Sequence, residues 1–197
     1  MIWAMILAAG ESKRMGKPKL LLPFGEKTMI ETVIDRVIQS KVEKILVVLG
    51  SNWKKIEKKI GNLPLEIAIN PDFKEGMLSS VQHGFHELPE DARAVLVFLG
   101  DQPSIPSEVI DSVIDAFRKT GKGIVLPVYK GERGHPVLID MKYRHEVENL
   151  NPEVGLRELV YGRPEDILEV DVDDAGILRD INDIEDYTRE IKNRSKA

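Results

Sequence analysis

Residues Met5 to Pro23 read Met-Ile-Leu-Ala-Ala-Gly-Glu-Ser-Lys-Arg-Met-Gly-Lys-Pro-Lys-Leu-Leu-Leu-Pro. The apolar run Ile2 to Ala8 predicts a buried strand. It empties into a loop with two glycines and four cations, Lys13, Arg14, Lys17 and Lys19, before apolar residues resume at Leu20. Small residues at Ala8, Ala9 and Gly10 let the backbone approach a ligand closely, so that its N–H groups face anionic oxygens while the cations neutralise charge. A phosphate-binding loop after the first strand is the reading this composition supports. A glycine-containing surface loop whose lysines only solubilise it has the same composition.

Spacing excludes two common phosphate loops. The P-loop places four residues between its glycines and follows the second with Lys and a hydroxyl residue, whereas five residues separate Gly10 from Gly16 and Lys17 is followed by Pro18. The dinucleotide pattern G-x-G-x-x-G is absent, and Pro18 would interrupt a helix opening directly after the glycines.

Outward from this loop, strand and helix patterns alternate. Thr28 to Glu31 has the form of a capping box, and Met29, Ile30, Val33, Ile34, Val37 and Ile38 recur at helical spacing. Ile45 to Leu49 is a continuous apolar run suited to a parallel strand buried on both faces, with a helix over Asn52 to Ile60. Leu65 to Ile69 predicts a third strand, stopped by Asn70-Pro71. A helix beginning near Met77 puts Ser79 and Ser80 in its first turn, where they either cap the helix or meet polar ligand groups. Ala94 to Leu99 is the most apolar strand and ends in Gly100-Asp101-Gln102-Pro103. A carboxylate there lies where open α/β sheets place ligands, although a lone Asp at a strand end also serves as a turn residue. Val109 to Phe117 marks the next helix and Gly123 to Val128 the next strand, followed by a polar turn at Tyr129 to Gly134. Ile167 to Val172 alternates as a half-exposed edge strand does, a terminal helix follows, and the polar tail Lys192 to Ala197 predicts a frayed end. The pattern predicts an α/β fold: a three-layer α/β/α, doubly wound, mostly parallel sheet, with the last third adding strands and short helices.

At 197 residues with 42% hydrophobic and 31% charged side chains, one domain spanning 1–197 is expected. A net charge of -5 argues against a general nucleic-acid binder. Charge is uneven: residues 165–186 hold ten acidic side chains and one basic one, opposite in sign to the loop at Lys13 to Lys19. The absence of cysteine excludes disulfides, thiolate zinc sites and cysteine nucleophiles. No apolar run approaches the ~20 residues of a membrane span. Met1 to Met5 lacks a basic region and reads as mature strand rather than signal peptide, so a cytoplasmic protein is expected. His83 and His86, three apart on a helix, lack a third partner for a metal.

Leu7 to Pro23 also resembles a specific signature, L-A-A-G-x-S-x-R-M-G-x-x-K-x-L-L-P, of the MobA-like nucleotidyltransferases, in particular the molybdenum cofactor cytidylyltransferase (MocA-type) branch. Asn70-Pro71-Asp72-Phe73 through Gly76 to Val81, Gly100-Asp101-x-Pro103, Gly134-His135-Pro136 and Gly155 to Leu159 resemble further family segments, so the likeness spans almost the whole chain. It implies a Rossmann-like nucleotidyltransferase fold, with about 1–128 binding nucleotide and about 129–190 facing the acceptor. It further implies a Mg²⁺-dependent enzyme that transfers CMP from CTP to the terminal phosphate of molybdopterin and releases pyrophosphate, with a recipient molybdoenzyme as a further partner. Carried over residue by residue, Arg14 and Lys19 meet the triphosphate and Asp101 holds Mg²⁺. Leu7, Ala8, Ala9, Gly10, Asn70, Ser79, Ser80 and Gly100 contact the nucleotide, and Gln102, Pro103, Gly134, His135 and Pro136 the acceptor. The segment from Asp180 departs from the family's D-I-D-T-P-E-D: Asn182 replaces an Asp, which leaves either Asn182 or Asp180 as the second cation ligand. Two competitors remain open at this point, a GTP-using or sugar-phosphate nucleotidyltransferase of the same fold and a non-catalytic carrier of nucleotide or molybdopterin. The guanylyl branch carries L-A-G-G where this chain has Leu7-Ala8-Ala9-Gly10.

Overall fold

The computed structural model describes residues 1–194. In chain order the strands are β1 (Ile2–Ala8), β2 (Pro23–Phe24), β3 (Lys27–Thr28), β4 (Lys44–Leu49), β5 (Glu66–Ile69), β6 (Ala94–Leu99), β7 (Ile124–Tyr129), β8 (Glu132–Arg133), β9 (Val137–Asp140) and β10 (Ile167–Asp171). The α-helices are α1 (Met29–Ile38), α2 (Trp53–Ile60), α3 (Met77–Glu87), α4 (Ser107–Thr120), α5 (Arg144–Glu148), α6 (Arg157–Gly162) and α7 (Ile184–Arg194).

One sheet runs β10-β7-β9-β6-β1-β4-β5, with β8 paired to β7. At its centre β1 pairs in parallel with β4 and β6, and β4 with β5. Every residue of β1 is buried, because the strand alternation sends Ile2, Ala4, Ile6 and Ala8 into one core and Trp3, Met5 and Leu7 into the other. That is the physical reason for the unbroken apolar run: with helices on both faces there is no solvent side to mark with polar residues. One core packs α1, α2 and α4 against the sheet, the other packs α3, α5 and α6, so the three expected layers form.

The expected capping box starts α1: Glu31 Oε2 accepts from the Thr28 backbone N–H at 2.8 Å and from its hydroxyl at 2.6 Å. Between β1 and α1 the chain makes short 3-10 turns at Lys13–Met15 and Lys19–Leu21, flanking Pro18. The polar turn after β7 is a tight hairpin in which Tyr129 opposes Glu132 and both central residues, Lys130 and Gly131, have positive φ (51° and 85°).

Two findings sharpen or correct the sequence reading. Strand β9 lies in the interior of the sheet, antiparallel to both β6 and β7. Residues 130–136 are too few for a parallel crossover, so the chain can only return antiparallel. The expected frayed tail is ordered at Lys192 to Arg194, which complete α7. Arg194 donates to the Phe24 carbonyl at 3.1 Å and stacks over the Phe24 ring at 5.0 Å, tying α7 to the β2–β3 hairpin. Ser195 to Ala197 lie outside the described residues. None of the described helices is long and apolar enough to cross a membrane.

Candidate active site

The site sits at the carboxyl ends of β1 and β6, neighbours in the sheet with Leu7 opposite Leu99. Just beyond them the Gly100 N–H donates to the Leu7 carbonyl at 3.0 Å. A Cβ at Gly100 would stand 2.9 Å from that oxygen, so glycine lets the end of β6 lie close against β1 and carries Asp101 over the loop. Gly100 therefore shapes the backbone beside the cleft rather than lining it.

The loop after β1 is closed by Ser12, whose Oγ accepts from the Lys19 backbone N–H at 3.1 Å. Ser12 sits in the left-handed region (φ 56°), which is uncommon for a residue with a side chain and marks a loop held by its surroundings. Among the described residues the N–H groups of Gly10, Glu11 and Ser12 find no internal acceptor. They remain as donors for an anion, as the composition suggests. Of the four cations, Lys13 turns to Glu11 (2.8 Å) and Lys17 is exposed. Arg14 donates to Asn182 Oδ1 at 3.3 Å. Lys19 reaches across the sheet end: its Nζ donates to Asp101 Oδ2 at 2.5 Å and to the Ile181 carbonyl at 3.0 Å.

Segment 175–182 straps these parts together. The Ile181 N–H donates to the Asp101 carbonyl at 3.0 Å and the His135 N–H to the Ile177 carbonyl at 3.1 Å. At Gly134 a Cβ would lie 2.5 Å from the Ile177 oxygen, so the close approach of the strap requires glycine there.

A cleft of about 310 Å³ results. It brings together Leu7, Ala8, Ala9, Gly10, Lys19, Ser80, Asp101 and Asn182 from the expected set, and adds Ser12, Leu20, Phe73, Gly76, Met77 and Leu99. Ser12 and Phe73 stand inside the motifs quoted above. Met77 is 62% exposed, and sequence has no signal for an apolar side chain left uncovered at a ligand site. A second, larger cavity of about 560 Å³ shares Leu7, Met77 and Leu99 with the first and is lined by Gly134, His135 and Asp180, among others.

Several expected residues support the site from behind. Asn70 is 2% exposed. Its Nδ2 donates to Ser79 Oγ and Ser80 Oγ at 3.0 Å each, and its Oδ1 accepts from the Asp72 N–H at 2.9 Å. Its polar atoms are thus engaged in fixing the first turn of α3. The Ser79 hydroxyl donates toward the carbonyls of Asp72 and Gly76, both at 2.9 Å. Gln102 is also 2% exposed, and its Nε2 donates to Asp180 Oδ1 at 2.5 Å. Pro103 and Pro136 are buried, Pro136 after a cis bond. Burial pulls the His135 imidazole pKa below its ordinary value, against the opposing pull of Asp180 and Asp101, which favours a neutral ring.

Residues 4–167 match the MobA-like NTP transferase domain. The chain belongs to that family. The chain is 28% identical to the molybdenum cofactor cytidylyltransferase of Escherichia coli (strain K12) over 93% of its length and 92% of the relative's. It is equally similar, at 28% over 95% of each chain, to a nicotine blue oxidoreductase of Paenarthrobacter nicotinovorans. Among solved structures, a nucleotidyl transferase from Methanothermobacter thermautotroptrophicus superposes with a TM-score of 0.84 over 100% of this chain and 98% of its own, at 22% identity. The protein is accordingly a nucleotidyltransferase of the MobA-like family.

Proposed function

We propose that the protein transfers CMP from CTP to the terminal phosphate of molybdopterin, releasing pyrophosphate, in the cytoplasm. The observation that carries this reading is the convergence of Lys19, Asp101 and the loop residues Gly10 and Ser12, whose N–H groups have no acceptor among the described residues, on one cleft. Their chemistry suits a triphosphate. Similarity to the cytidylyltransferase supports the base and the acceptor.

In this reading an acceptor phosphate oxygen forms a bond to the α-phosphorus while the bond from that phosphorus to the bridging oxygen breaks, and pyrophosphate leaves with the electron pair. An already ionised phosphate needs no general base, so the protein's work is alignment and charge neutralisation. Lys19, Arg14 and the loop N–H groups hold the phosphates, while residues 129–190 face the acceptor. Ser80, fixed by Asn70, and the Ala8–Gly10 backbone border the nucleoside.

The donor set fits a hard divalent cation such as Mg²⁺. Asp101 keeps one carboxylate oxygen without a partner among the described residues, and Asn182 brings an amide oxygen to the same cleft. No group of three or more His, Cys, Asp or Glu side chains gathers to hold an ion among the described residues. Asp101 and Asn182 would therefore share the ion with substrate phosphates and water, as magnesium commonly requires. Such an ion supplies charge neutralisation at the phosphates.

Base choice is assigned in part to Ala9. A Cβ at Gly50 would lie 2.8 Å from the Ala9 Cβ and 2.6 Å from Phe73, so these three pack tightly beside the cleft. Comparing kcat/KM for CTP and GTP by pyrophosphate release tests the reading, with CTP preferred and Ala9→Gly narrowing the preference. A GTP preference would move the protein to a guanylyl activity, and tight binding without turnover would make it a carrier.

A further inference from the structure

In helix α7 the residues Tyr187, Glu190, Ile191 and Arg194 are spaced three and four apart and share one face. Tyr187 and Ile191 pack against the core, and the Tyr187 hydroxyl and the Arg194 guanidinium donate to the carbonyls of Pro23 and Phe24 at 2.5 and 3.1 Å. On such an inward stripe an apolar side chain is the ordinary choice. Position 190 instead carries a glutamate that is 4% exposed, the one charged residue among the buried polar residues described.

Its carboxylate is only partly satisfied. The Ser104 hydroxyl donates to Oε2 at 2.7 Å, whereas Oε1 has no hydrogen-bond partner among the described residues, with Arg179 Nη1 at 3.8 Å, beyond hydrogen-bond length. An apolar residue of similar volume in place of a buried, paired charge often leaves a fold equally or more stable, so stability does not account for this acid. Its two partners do. Ser104 follows Asp101 by three positions, and Arg179 precedes Asn182 by three. Between those points the two segments are cross-linked: the Ile181 N–H donates to the Asp101 carbonyl at 3.0 Å, Gln102 donates to Asp180 Oδ1 at 2.5 Å, and a Cβ at Gly176 would stand 2.5 Å from the Ser104 oxygen. Glu190 enters from outside both segments and draws them together behind the cleft, which it does not line. Magnesium-like cations demand near-ideal ligand geometry, so the spacing of the two segments governs what Asp101 and Asn182 contribute.

We propose that Glu190 is a positioning residue: by holding Ser104 and Arg179 together it fixes the separation at which Asp101 and Asn182 share a divalent cation. This rests on the assignment of those two side chains to the cation in the proposed reaction.

Mn²⁺ binding in the presence of CTP, read by electron paramagnetic resonance on the intact, folded protein, tests the proposal. Glu190→Met keeps the volume and removes both contacts; it should raise the Mn²⁺ Kd about fivefold or more, below the usual effect of residues bonded directly to metal ligands because Glu190 acts through two segments. Ser104→Ala and Arg179→Met should each raise the Kd about threefold, and Ser104→Ala combined with Glu190→Met should bind no more weakly than Glu190→Met alone, because the two residues act as one unit. Affinity of the folded protein decides the matter, since a residue that serves the fold alone shifts the urea midpoint and leaves that affinity unchanged. Wild-type affinity in Glu190→Met, wild-type affinity in either partner variant, or additive losses in the double variant would each overturn the proposal. If Glu190→Met does not fold, the two partner variants decide it. Asp101→Ala separates this inference from the reading beneath it. Wild-type Mn²⁺ binding in Asp101→Ala would overturn the cation assignment and the inference together, whereas lost binding in Asp101→Ala beside intact binding in Glu190→Met would overturn the inference alone. Weakened binding in Glu190→Met from a wild type that releases no pyrophosphate would support the positioning role and refute the transfer reaction.

Discussion

Replacing Lys19 by Ala removes a side chain that joins three separate parts of the candidate site. Its Nζ bonds Asp101 Oδ2 at 2.5 Å and the Ile181 carbonyl at 3.0 Å, and the ion pair is largely shielded, with side chains 15% and 17% exposed. A hydrogen bond to a charged group contributes about 1.5 to 3 kcal/mol, and removing one partner leaves a partly buried carboxylate. Water can still reach Asp101 from the cleft, so the lower part of that range applies, a loss of about 2 kcal/mol. The loss of turnover should be larger than this stability change alone suggests. Removing one preorganised charge contact from a transferring group costs about 3 to 4 kcal/mol of barrier, two to three decades in rate. Urea unfolding monitored by tryptophan fluorescence reads the first quantity, and pyrophosphate release from CTP in the presence of acceptor reads the second. A cycle with Asp101→Ala isolates the pair: the double variant should be less destabilised than the sum of the singles by about 1 kcal/mol or more. Additive stabilities would show that the pair is not energetically coupled. Wild-type turnover in a folded Lys19→Ala protein would refute its role in catalysis.

Asp101→Ala should abolish the response to divalent cations more completely than Asn182→Ala does, because a carboxylate holds a hard cation better than an amide; an Asp101→Ala enzyme that keeps its cation response would place the ion elsewhere. Asn182→Asp should tighten Mn²⁺ binding, measured by electron paramagnetic resonance, and no change would remove Asn182 from the ligand set. Away from the site, Asp166 accepts from the Tyr143 hydroxyl at 2.6 Å and lies 2.6 Å from Lys142 Nζ. Burial works to raise its pKa, but those bonds together with the Gly123 N–H win and lower it from 3.8 to about 2. The native state therefore favours the ionised form. Its contribution, about 2 kcal/mol, is complete above the ordinary carboxylate pKa and is lost as pH falls from about 4 through about 2. Urea midpoints taken from pH 5 to pH 2 should fall less steeply in Asp166→Asn, and parallel curves would contradict the assignment.

The sequence by itself determined the layers and marked the two loops that border the candidate cleft. Strands β1, β4 and β6 announce burial on both faces through unbroken apolar runs, and the helices α1 and α4 declare their inward stripes, because both periodicities are local properties of the chain. The loop motif after β1 and the acid after β6 were legible for the same reason: composition and spacing are written within a few residues. Only the tertiary structure decided who touches whom. Lys19 meets Asp101 across 82 positions and Ile181 across 162, separations at which sequence carries no pattern. The same contacts divide the motif residues by role. Lys19, Asp101 and Ser80 line the cleft, while Asn70 and Gln102 turn every bond they make inward, as buried polar groups must. The interior antiparallel position of β9 was likewise beyond the alternation of strands and helices, since it follows from the short reach of residues 130–136 and from the open edge that β6 offers. Asp180 and Asn182 are two residues apart in the chain and equivalent by composition. Packing of the strap against Asp101 and Gln102 sends Asp180 to the larger cavity and Asn182 to the smaller cleft.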